Sequence, residues 1–367
     1  MGRPTTNIDT DALEALLADL VGLYSPSGKE QEIGDYLLRR LQGLGIPVEC
    51  QPVDEERYNL VVRPRGREAR LLLTGHIDTV TASAPDQCEP RRDGDDLVGL
   101  GTADMKGGCA ALLEAYVAAY LQRDGELDAE LALVVGEEEY GDGTTALIQY
   151  GPPPLAVVAE PTDLAVCLDH YGYLEAALET IGVRRHAAEA SREHNAVYSM
   201  LRVLARLADV FERSAGEIVF NIRDLQSSSA GFAVPDRCSA WLDLHAPPAA
   251  DPEALAEQVR EVVARADEDL PGTLPAPRFP CCHRGYGLGA DEPHVRALRD
   301  SVDACHLPWR TASFRSHSDA NLLAAAGCRP VVFGPGRLSY AHTTAERTSL
   351  AQVAQAARVY RALLERF

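Results

Sequence analysis

The sequence predicts an α/β protein with a mainly parallel mixed sheet flanked by helices and a smaller α+β domain inserted in the chain. The first 165 residues alternate between helical and strand-like periodicity. Three of the strand patterns are short, continuous apolar runs, which are typical of strands buried on both faces of a parallel sheet. From about residue 168 the pattern changes to half-exposed strands and long amphipathic helices, which indicates a second kind of domain.

Two helices open the predicted first part. Asp9 or Thr10 can cap a helix whose apolar residues recur at helical spacing and which ends at the Ser-Pro-Ser-Gly segment 25–28. A second helix is predicted over residues 30–44, with Gly45 as its C-terminal cap, and an Ala- and Leu-rich helix over residues 106–121. The predicted strands of this part are 59–63, 70–74, 131–135 and 155–159.

The inserted part is predicted to contain strands at 173–181, 217–222 and 238–244 and helices at 195–212 and 251–266. Two strand-helix-strand units would give four antiparallel strands with two helices on one face. A Pro- and Gly-rich stretch at 269–279 indicates a linker, and residues 331–333 form a further buried strand. The expected organisation is therefore a discontinuous α/β domain, 1–167 and 280–367, with a smaller α+β domain, 168–279, inserted in it.

Charge and hydropathy exclude several classes of partner. Thirty-five Lys+Arg against 55 Asp+Glu give a net charge of −20, which repels nucleic-acid phosphates, and the sequence has no basic stripe. No apolar run approaches the roughly 18 residues of a membrane span, and no secretory signal is visible. We expect small-molecule partners, no nucleic acid and no membrane.

The nine cysteines are odd in number and widely scattered. They form no CxxC or CxxH pair, so neither a disulfide framework nor a thiolate zinc site is predicted. We expect reduced, mostly buried thiols in a cytoplasmic protein.

Histidine and carboxylate residues stand at the ends of predicted elements. His76 and Asp78 follow a buried strand, so Asp78 can accept a hydrogen bond from one imidazole nitrogen and leave the other for a metal. Alone, this pair is more typical of a structural histidine than of a metal ligand. Asp104 opens the Ala-rich helix, where an aspartate is often only a cap.

Three consecutive carboxylates, 137–139, end another apolar strand. Neighbouring carboxylates repel one another and raise a pKa unless a cation lies among them, so this run indicates a general base or a metal site. Glu160 ends a further strand, and His342 lies in a loop after the strand at 331–333. Together these residues are the donor set of a two-metal zinc or cobalt hydrolase.

Five segments carry a family resemblance: GHIDTV at 75–80, GTADMKGG at 101–108, EEEYG at 137–141, AEPT at 159–162 and AHTTAE at 341–346. Their order resembles the family of di-zinc hydrolases that includes acetylornithine deacetylase, succinyl-diaminopimelate desuccinylase, aminoacylase and carboxypeptidase. The resemblance covers nearly the whole chain. It implies a catalytic metal-binding domain, 1–167 and 280–367, and an inserted lid or dimerisation domain, 168–279. It also implies two divalent metal ions per subunit, Zn or Co, and a homodimer.

The resemblance also implies roles for single residues. The ligands would be His76, Asp104 and Glu160 for one ion and His342, Asp104 and Glu139 for the other, with Asp104 bridging. Asp78 would orient His76, and Glu138 would be the general acid and base. The assignment within the run 137–139 stays open by one residue.

Residues that would bind substrate are less clearly marked. His186 resembles the family's histidine that donates to the oxyanion, and Asn195 belongs to the same segment. His245 stands where many members have an arginine that anchors the substrate carboxylate. Arg315 and Arg337 are alternative anchors, because a guanidinium binds a carboxylate through two parallel hydrogen bonds.

The predicted function is metal-dependent hydrolysis of the amide bond of an N-acyl amino acid, of the acetylornithine type. Dipeptidase or carboxypeptidase activity, and release of lysine or ornithine from an acidic carrier protein, remain alternatives within the same chemistry. A non-catalytic metal-binding dimer scaffold is the alternative of another class. It would be marked by the loss of a ligand or of the base, and neither is lost.

Overall fold

The computed structural model describes residues 8–192, 194–213, 217–229, 231–269 and 274–367. Contacts within the chain divide it into two compact units. The first holds residues 8–168, Leu288–Phe314 and Ser318–Phe367, and the second holds Asp169–Gly287 and Arg315–His317. Residues 280–287 and 315–317, expected in the catalytic part, thus belong to the second unit. Residues 270–273 of the expected linker lie outside the described residues.

The elements of both units are numbered along the chain. The helices are α1 (Thr10–Gly22), α2 (Gln31–Gly43), α3 (Gly107–Gln122), α4 (Asp142–Gln149), α5 (Ala196–Phe211), α6 (Pro252–Asp269), α7 (Pro293–Ala304), α8 (Asp319–Ala325) and α9 (Leu350–Leu364). The strands are β1 (Glu49–Pro52), β2 (Tyr58–Val62), β3 (Leu71–His76), β4 (Arg91–Asp93), β5 (Asp96–Val98), β6 (Ala129–Val134), β7 (Leu155–Val158), β8 (Val166–His170), β9 (Gly172–Ile181), β10 (Val219–Ser227), β11 (Arg237–Ala246), β12 (Cys282–His283), β13 (Tyr286–Gly287), β14 (Thr311–Phe314), β15 (Arg329–Val332) and β16 (Arg347–Ser349).

The main sheet of the first unit has the order β1-β2-β6-β3-β7-β15-β8. Its central strands β6, β3, β7 and β15 run parallel, whereas β1 and β2 at one edge pair antiparallel. This mixed sheet confirms the predicted fold class. The four strands predicted in the first part lie within two residues of their observed ends, because continuous apolar runs mark strands buried on both faces.

Helix α3 is the central helix of the first unit. Most of its residues are buried, and it contacts α1, α9 and β3. The Tyr116 hydroxyl lies 3.0 Å from the carbonyl oxygen of Val62 and 2.9 Å from that of Ala129, which ties the helix to two strands. The N-terminus of α3 follows the loop that carries Asp104, so packing of the helix also fixes that loop.

The predicted cap of α1 is confirmed at Asp9. The Asp9 Oδ1 atom accepts hydrogen bonds from the backbone N–H groups of Asp11 and Ala12, both at 3.1 Å. These bonds satisfy donors that have no partner inside the helix.

The second unit contains an antiparallel sheet with the order β10-β11-β9-β12. Residues of α5 and α6 share one apolar core with β9 and β11. The fourth strand, β12, is only two residues long and pairs with Leu174 and Tyr173. No periodicity can mark so short a strand, which is why the sequence did not indicate it.

None of the nine cysteines, all of which the structure describes, forms a disulfide, but the expectation that most are buried is wrong. Four are buried, three are partly exposed, and Cys50 and Cys282 are exposed. Among the helices that the structure describes, none has the length and apolar character needed to cross a membrane.

We expect Gly108→Ala to destabilise the first unit. A Cβ atom at residue 108 would lie 2.1 Å from the Ala159 carbonyl oxygen, so the backbone would have to shift. Such overpacking costs about 1–3 kcal/mol of unfolding free energy. The measurement is the denaturant midpoint. The matched control is Gly43→Ala at the exposed end of α2, where a Cβ atom meets nothing within 4 Å. Equal midpoints for the two variants would contradict the close approach of α3 to β7.

Candidate metal centre

One group of possible ligands lies where three elements of the first unit end. His76 is the last residue of β3, Glu160 follows β7, and Asp104 precedes α3. The His76 Nε2 atom is 3.2 Å from Asp104 Oδ1 and 3.9 Å from Glu160 Oε1. All three residues are buried, and their ligand atoms lie within 4.8 Å of one another. The structure thus brings together the three residues predicted as the ligands of one ion.

A second group shares Asp104 with the first and adds Glu138 and His342. The His342 Nε2 atom lies 3.4 Å from Asp104 Oδ2 and 2.9 Å from Glu138 Oε2. The two oxygens of Asp104 therefore face different histidines. His342 is half exposed, whereas His76 is fully buried.

The carboxylate run differs from the prediction by one residue. Glu138, predicted as the general acid and base, lies in the second ligand group, whereas the predicted ligand Glu139 is exposed and outside it. Gly136 has a φ of 73°, and its carbonyl oxygen accepts the N–H groups of Tyr140 and Gly141. This tight turn breaks the strand alternation beyond β6, so the sequence pattern could not fix which carboxylates point inward.

Asp78 positions more than the predicted histidine. One carboxylate oxygen lies 3.4 Å from His76 Nδ1, and the Ser27 hydroxyl donates to the other at 2.6 Å. The carboxylate also accepts the backbone N–H groups of Glu137 and Glu138, at 3.2 and 3.0 Å. Asp78 therefore links the end of β3 to the carboxylate turn.

Glu346 has a supporting role that the sequence analysis missed. Its buried carboxylate accepts the backbone N–H groups of Gly101, Ala103 and Asp104 at 2.9–3.1 Å. These bonds hold the loop that presents Asp104. Glu346 is the last residue of the motif that contains His342. Its burial distinguishes it from a surface glutamate, and the sequence alone does not show that burial.

The carboxylates of the site are strongly coupled. Burial, together with the charge of Asp104, raises the pKa of Glu137 and of Glu138 to about 7, although the charges of His76 and His342 oppose the rise. Burial and the charge of Asp104 also raise the pKa of Glu160. Hydrogen bonds from His342 and His76 outweigh burial at Asp104 and lower its pKa. A cluster of buried carboxylates favours bound cations, because their positive charge would reduce the repulsion between the carboxylates.

The donor atoms also fit divalent cations. Imidazole nitrogens and carboxylate oxygens are ligands of zinc in hydrolase centres. The Cys109 thiol donates to the His76 carbonyl oxygen at 3.0 Å, and burial raises its pKa to about 12. It belongs to neither group of possible ligands.

The structure places the predicted substrate residues outside both ligand groups. His186 is exposed and its Nδ1 atom accepts the N–H of Ala188 at 3.1 Å, while the Asn195 side chain caps α5. The Arg315 guanidinium lies over the Tyr171 ring, 5.3 Å from its centroid. The Arg337 Nε atom lies 3.3 Å from Asp163 Oδ1. Their roles toward substrate stay predictions.

His245 is partly buried in the second unit. Its ring lies 5.1 Å from that of Tyr173, centroid to centroid. Burial lowers the pKa of His245 to about 4, so its side chain is neutral near pH 7. A neutral imidazole would be a weaker carboxylate anchor than the arginine common in the resembling family.

Comparisons with known proteins identify a family and several relatives of this chain. The sequence model of peptidase family M20/M25/M40 matches residues 72–366. A probable carboxypeptidase of Aspergillus terreus is 30% identical, over 95% of this chain and 84% of its own length. A putative [LysW]-lysine/[LysW]-ornithine hydrolase of Pyrobaculum aerophilum is 28% identical, over 95% and 96%. The fold is similar to that of a solved metallo-carboxypeptidase of Sulfolobus solfataricus, with a TM-score of 0.77, 16% identity and 96% and 98% coverage.

We expect Asp78→Asn to weaken metal binding about 10- to 100-fold, as is typical when a partner that orients a metal ligand is changed. The asparagine amide removes the negative charge next to His76. Its NH₂ group also replaces one of the two carboxylate oxygens that accept the backbone N–H groups of Glu137 and Glu138. Competition with a chromophoric chelator measures the affinity. Asp93→Asn removes an exposed carboxylate of the same unit and should leave the affinity unchanged. If both variants bound metal like the parent protein, Asp78 would not support the centre.

Proposed function

Because the chain belongs to peptidase family M20/M25/M40, we propose that it is a two-metal hydrolase that cleaves the amide bond of an N-acyl amino acid. The family and its relatives establish a metal-dependent hydrolase of amide or peptide bonds. The observation that carries the finer proposal is the shared carboxylate of Asp104, which belongs to both ligand groups. A bridging carboxylate between two sets of N and O donors is the arrangement that two-metal hydrolases require.

In this proposal the ligands are His76, Asp104 and Glu160 for one cation and His342, Asp104 and Glu138 for the other. Zinc is the preferred cation and cobalt an alternative. Bound there, two divalent cations would lower the pKa of a water and polarise the carbonyl of the scissile amide.

We assign the general base to Glu137. Burial raises the pKa of its carboxyl group to about 7, which is suited to proton transfer near neutral pH. Its Oε2 atom lies 3.8 Å from His76 Nε2, and its backbone N–H is held by Asp78. Glu137 would accept a proton from the attacking water and pass it to the departing amine, which leaves the carboxylate as it began.

The substrate class is supported by the names of the relatives. One is a probable carboxypeptidase, and the other a putative hydrolase of [LysW]-lysine and [LysW]-ornithine. Both names concern bonds to an amino acid, which favours a substrate that releases one. The second name also favours the carrier-protein alternative, whereas the net charge of −20 would repel an acidic carrier. We therefore propose a small N-acyl amino acid as the substrate, ahead of a carrier protein.

The second unit supplies the remaining proposed functions. We propose that it serves as a lid and forms the homodimer through β10, an edge strand with exposed Ile222 and Leu225. His186 is the proposed donor to the oxyanion, with Asn195 and Arg315 as further substrate contacts. Arg337 of the first unit is a second candidate anchor for a substrate carboxylate. Nine thiols outside any disulfide suit a reducing compartment and support a cytoplasmic location.

We expect three different results when the glutamates 137–139 are each replaced by glutamine. Glu137→Gln is expected to lower kcat about 10²- to 10⁴-fold with metal content unchanged, because only the proton acceptor is lost. Glu138→Gln should lose metal, and Glu139→Gln should match the parent protein in both respects. Turnover and metal content are measured on the same samples. Loss of activity in Glu139→Gln, with Glu137→Gln active, would restore the assignment expected from the sequence.

A substrate panel tests the reaction. We expect amino-acid release from acetylornithine or another N-acyl amino acid, abolished by a chelator and restored by zinc or cobalt. Acetylcitrulline, succinyl-diaminopimelate and several dipeptides complete the panel. Faster cleavage of dipeptides than of N-acyl amino acids would show that the protein is a peptidase and not a deacylase. Silence on the whole panel with two metals bound would favour a carrier-protein substrate or the non-catalytic scaffold, and a protein that binds no metal would refute the centre.

A further inference from the structure

A different group of possible metal ligands lies in the second unit. It consists of Cys281, His283 and His317, whose ligand atoms lie within 4.8 Å of one another. All three residues belong to that unit. The group shares no ligand with the carboxylate-rich centre and plays no part in the proposed hydrolysis.

Backbone pairing brings the three side chains together. Cys281 and His283 are two residues apart along the chain at β12, so their side chains lie on one side of the strand. The Cys281 carbonyl oxygen accepts the N–H of Glu175, and His283 pairs with Tyr173, which anchors this edge to β9. The His317 ring stacks on that of His283 with 4.9 Å between centroids and 22° between planes.

The distances approach those of a tetrahedral site. Zn–S bonds of about 2.3 Å and Zn–N bonds of about 2.0–2.1 Å place S and N ligands roughly 3.5 Å apart and two N ligands roughly 3.3 Å apart. The Cys281 Sγ atom is 3.4 Å from His283 Nδ1, and that nitrogen is 2.8 Å from His317 Nε2. A cation between them would need the two imidazoles to separate by only a few tenths of an ångström.

The protonation of the imidazoles also suits a cation. Burial lowers the pKa of His283 and of His317 to about 4, so both rings are neutral at pH 7 and keep a lone pair. Coordination through His283 Nδ1 and His317 Nε2 requires the ring protons on the opposite nitrogens. The thiol would release its proton to solvent as the thiolate binds the cation.

We propose that Cys281, His283 and His317 form an additional, thiolate-containing metal site that takes Zn²⁺ or another thiophilic divalent cation. One thiolate and two imidazoles leave a fourth position for water or an external ligand. The site is separate in chemistry from the proposed hydrolytic centre, whose donors are imidazole nitrogens and carboxylate oxygens.

Cobalt substitution tests the site without relying on activity. A thiolate bound to Co²⁺ gives an intense sulfur-to-cobalt charge-transfer band in the near ultraviolet, which nitrogen and oxygen ligands do not give. The metal-free protein titrated with Co²⁺ should develop this band, and Cys281→Ser should abolish it. Cys282→Ser is the matched control, because Cys282 is the adjacent, exposed cysteine and lies on the other side of β12.

Zinc content gives a second readout. Cys281→Ser and His317→Gln should each bind one equivalent of zinc fewer than the parent protein, while Cys282→Ser binds the same amount. Circular dichroism verifies that each variant is folded. No charge-transfer band in the parent protein, or a band that survives Cys281→Ser, would overturn the proposal. A band that Cys282→Ser removes and Cys281→Ser leaves would overturn it too.

Discussion

The repulsion among buried carboxylates is the constraint on which the first unit depends. Asp104, Glu137, Glu138 and Glu160 converge on two imidazoles in a space withdrawn from water, where burial and the charge of Asp104 raise the pKa of the three glutamates. Two histidines cannot balance four acids, even though Asp104 and Glu138 outweigh burial and raise the pKa of His342 to about 11. A fold that assembles such a group gains most when cations occupy it. Asp104 belongs to both ligand groups, so its carboxylate could serve two cations at once.

Two further carboxylates, Asp78 and Glu346, keep the acidic group in place. Each accepts backbone N–H groups of a loop: Asp78 holds the turn at 137–138, and Glu346 holds the loop at 101–104. A carboxylate that accepts several N–H groups fixes loop geometry more tightly than a surface ion pair does. The ligands therefore lie on loops with little freedom to move apart.

The sequence predicts the ligand residues well where strand periodicity applies and less well elsewhere. His76 and Glu160 stand at the ends of apolar strands, where alternation and burial mark the position clearly, and both lie in the predicted ligand group. Glu138 lies beyond the Gly136 turn, where strand periodicity no longer applies, so the sequence could not fix which carboxylate of the run joins the second ligand group. The buried role of Glu346 and the two-residue strand β12 depend on contacts distant in sequence, for which the local pattern carries no signal.

The two histidines of the centre differ in their access to water. His76 is fully buried, whereas the His342 side chain is 50% exposed. A cation held on the His342 side would therefore exchange with the surroundings sooner than one held on the His76 side. A chelator would then remove the cation on the His342 side first.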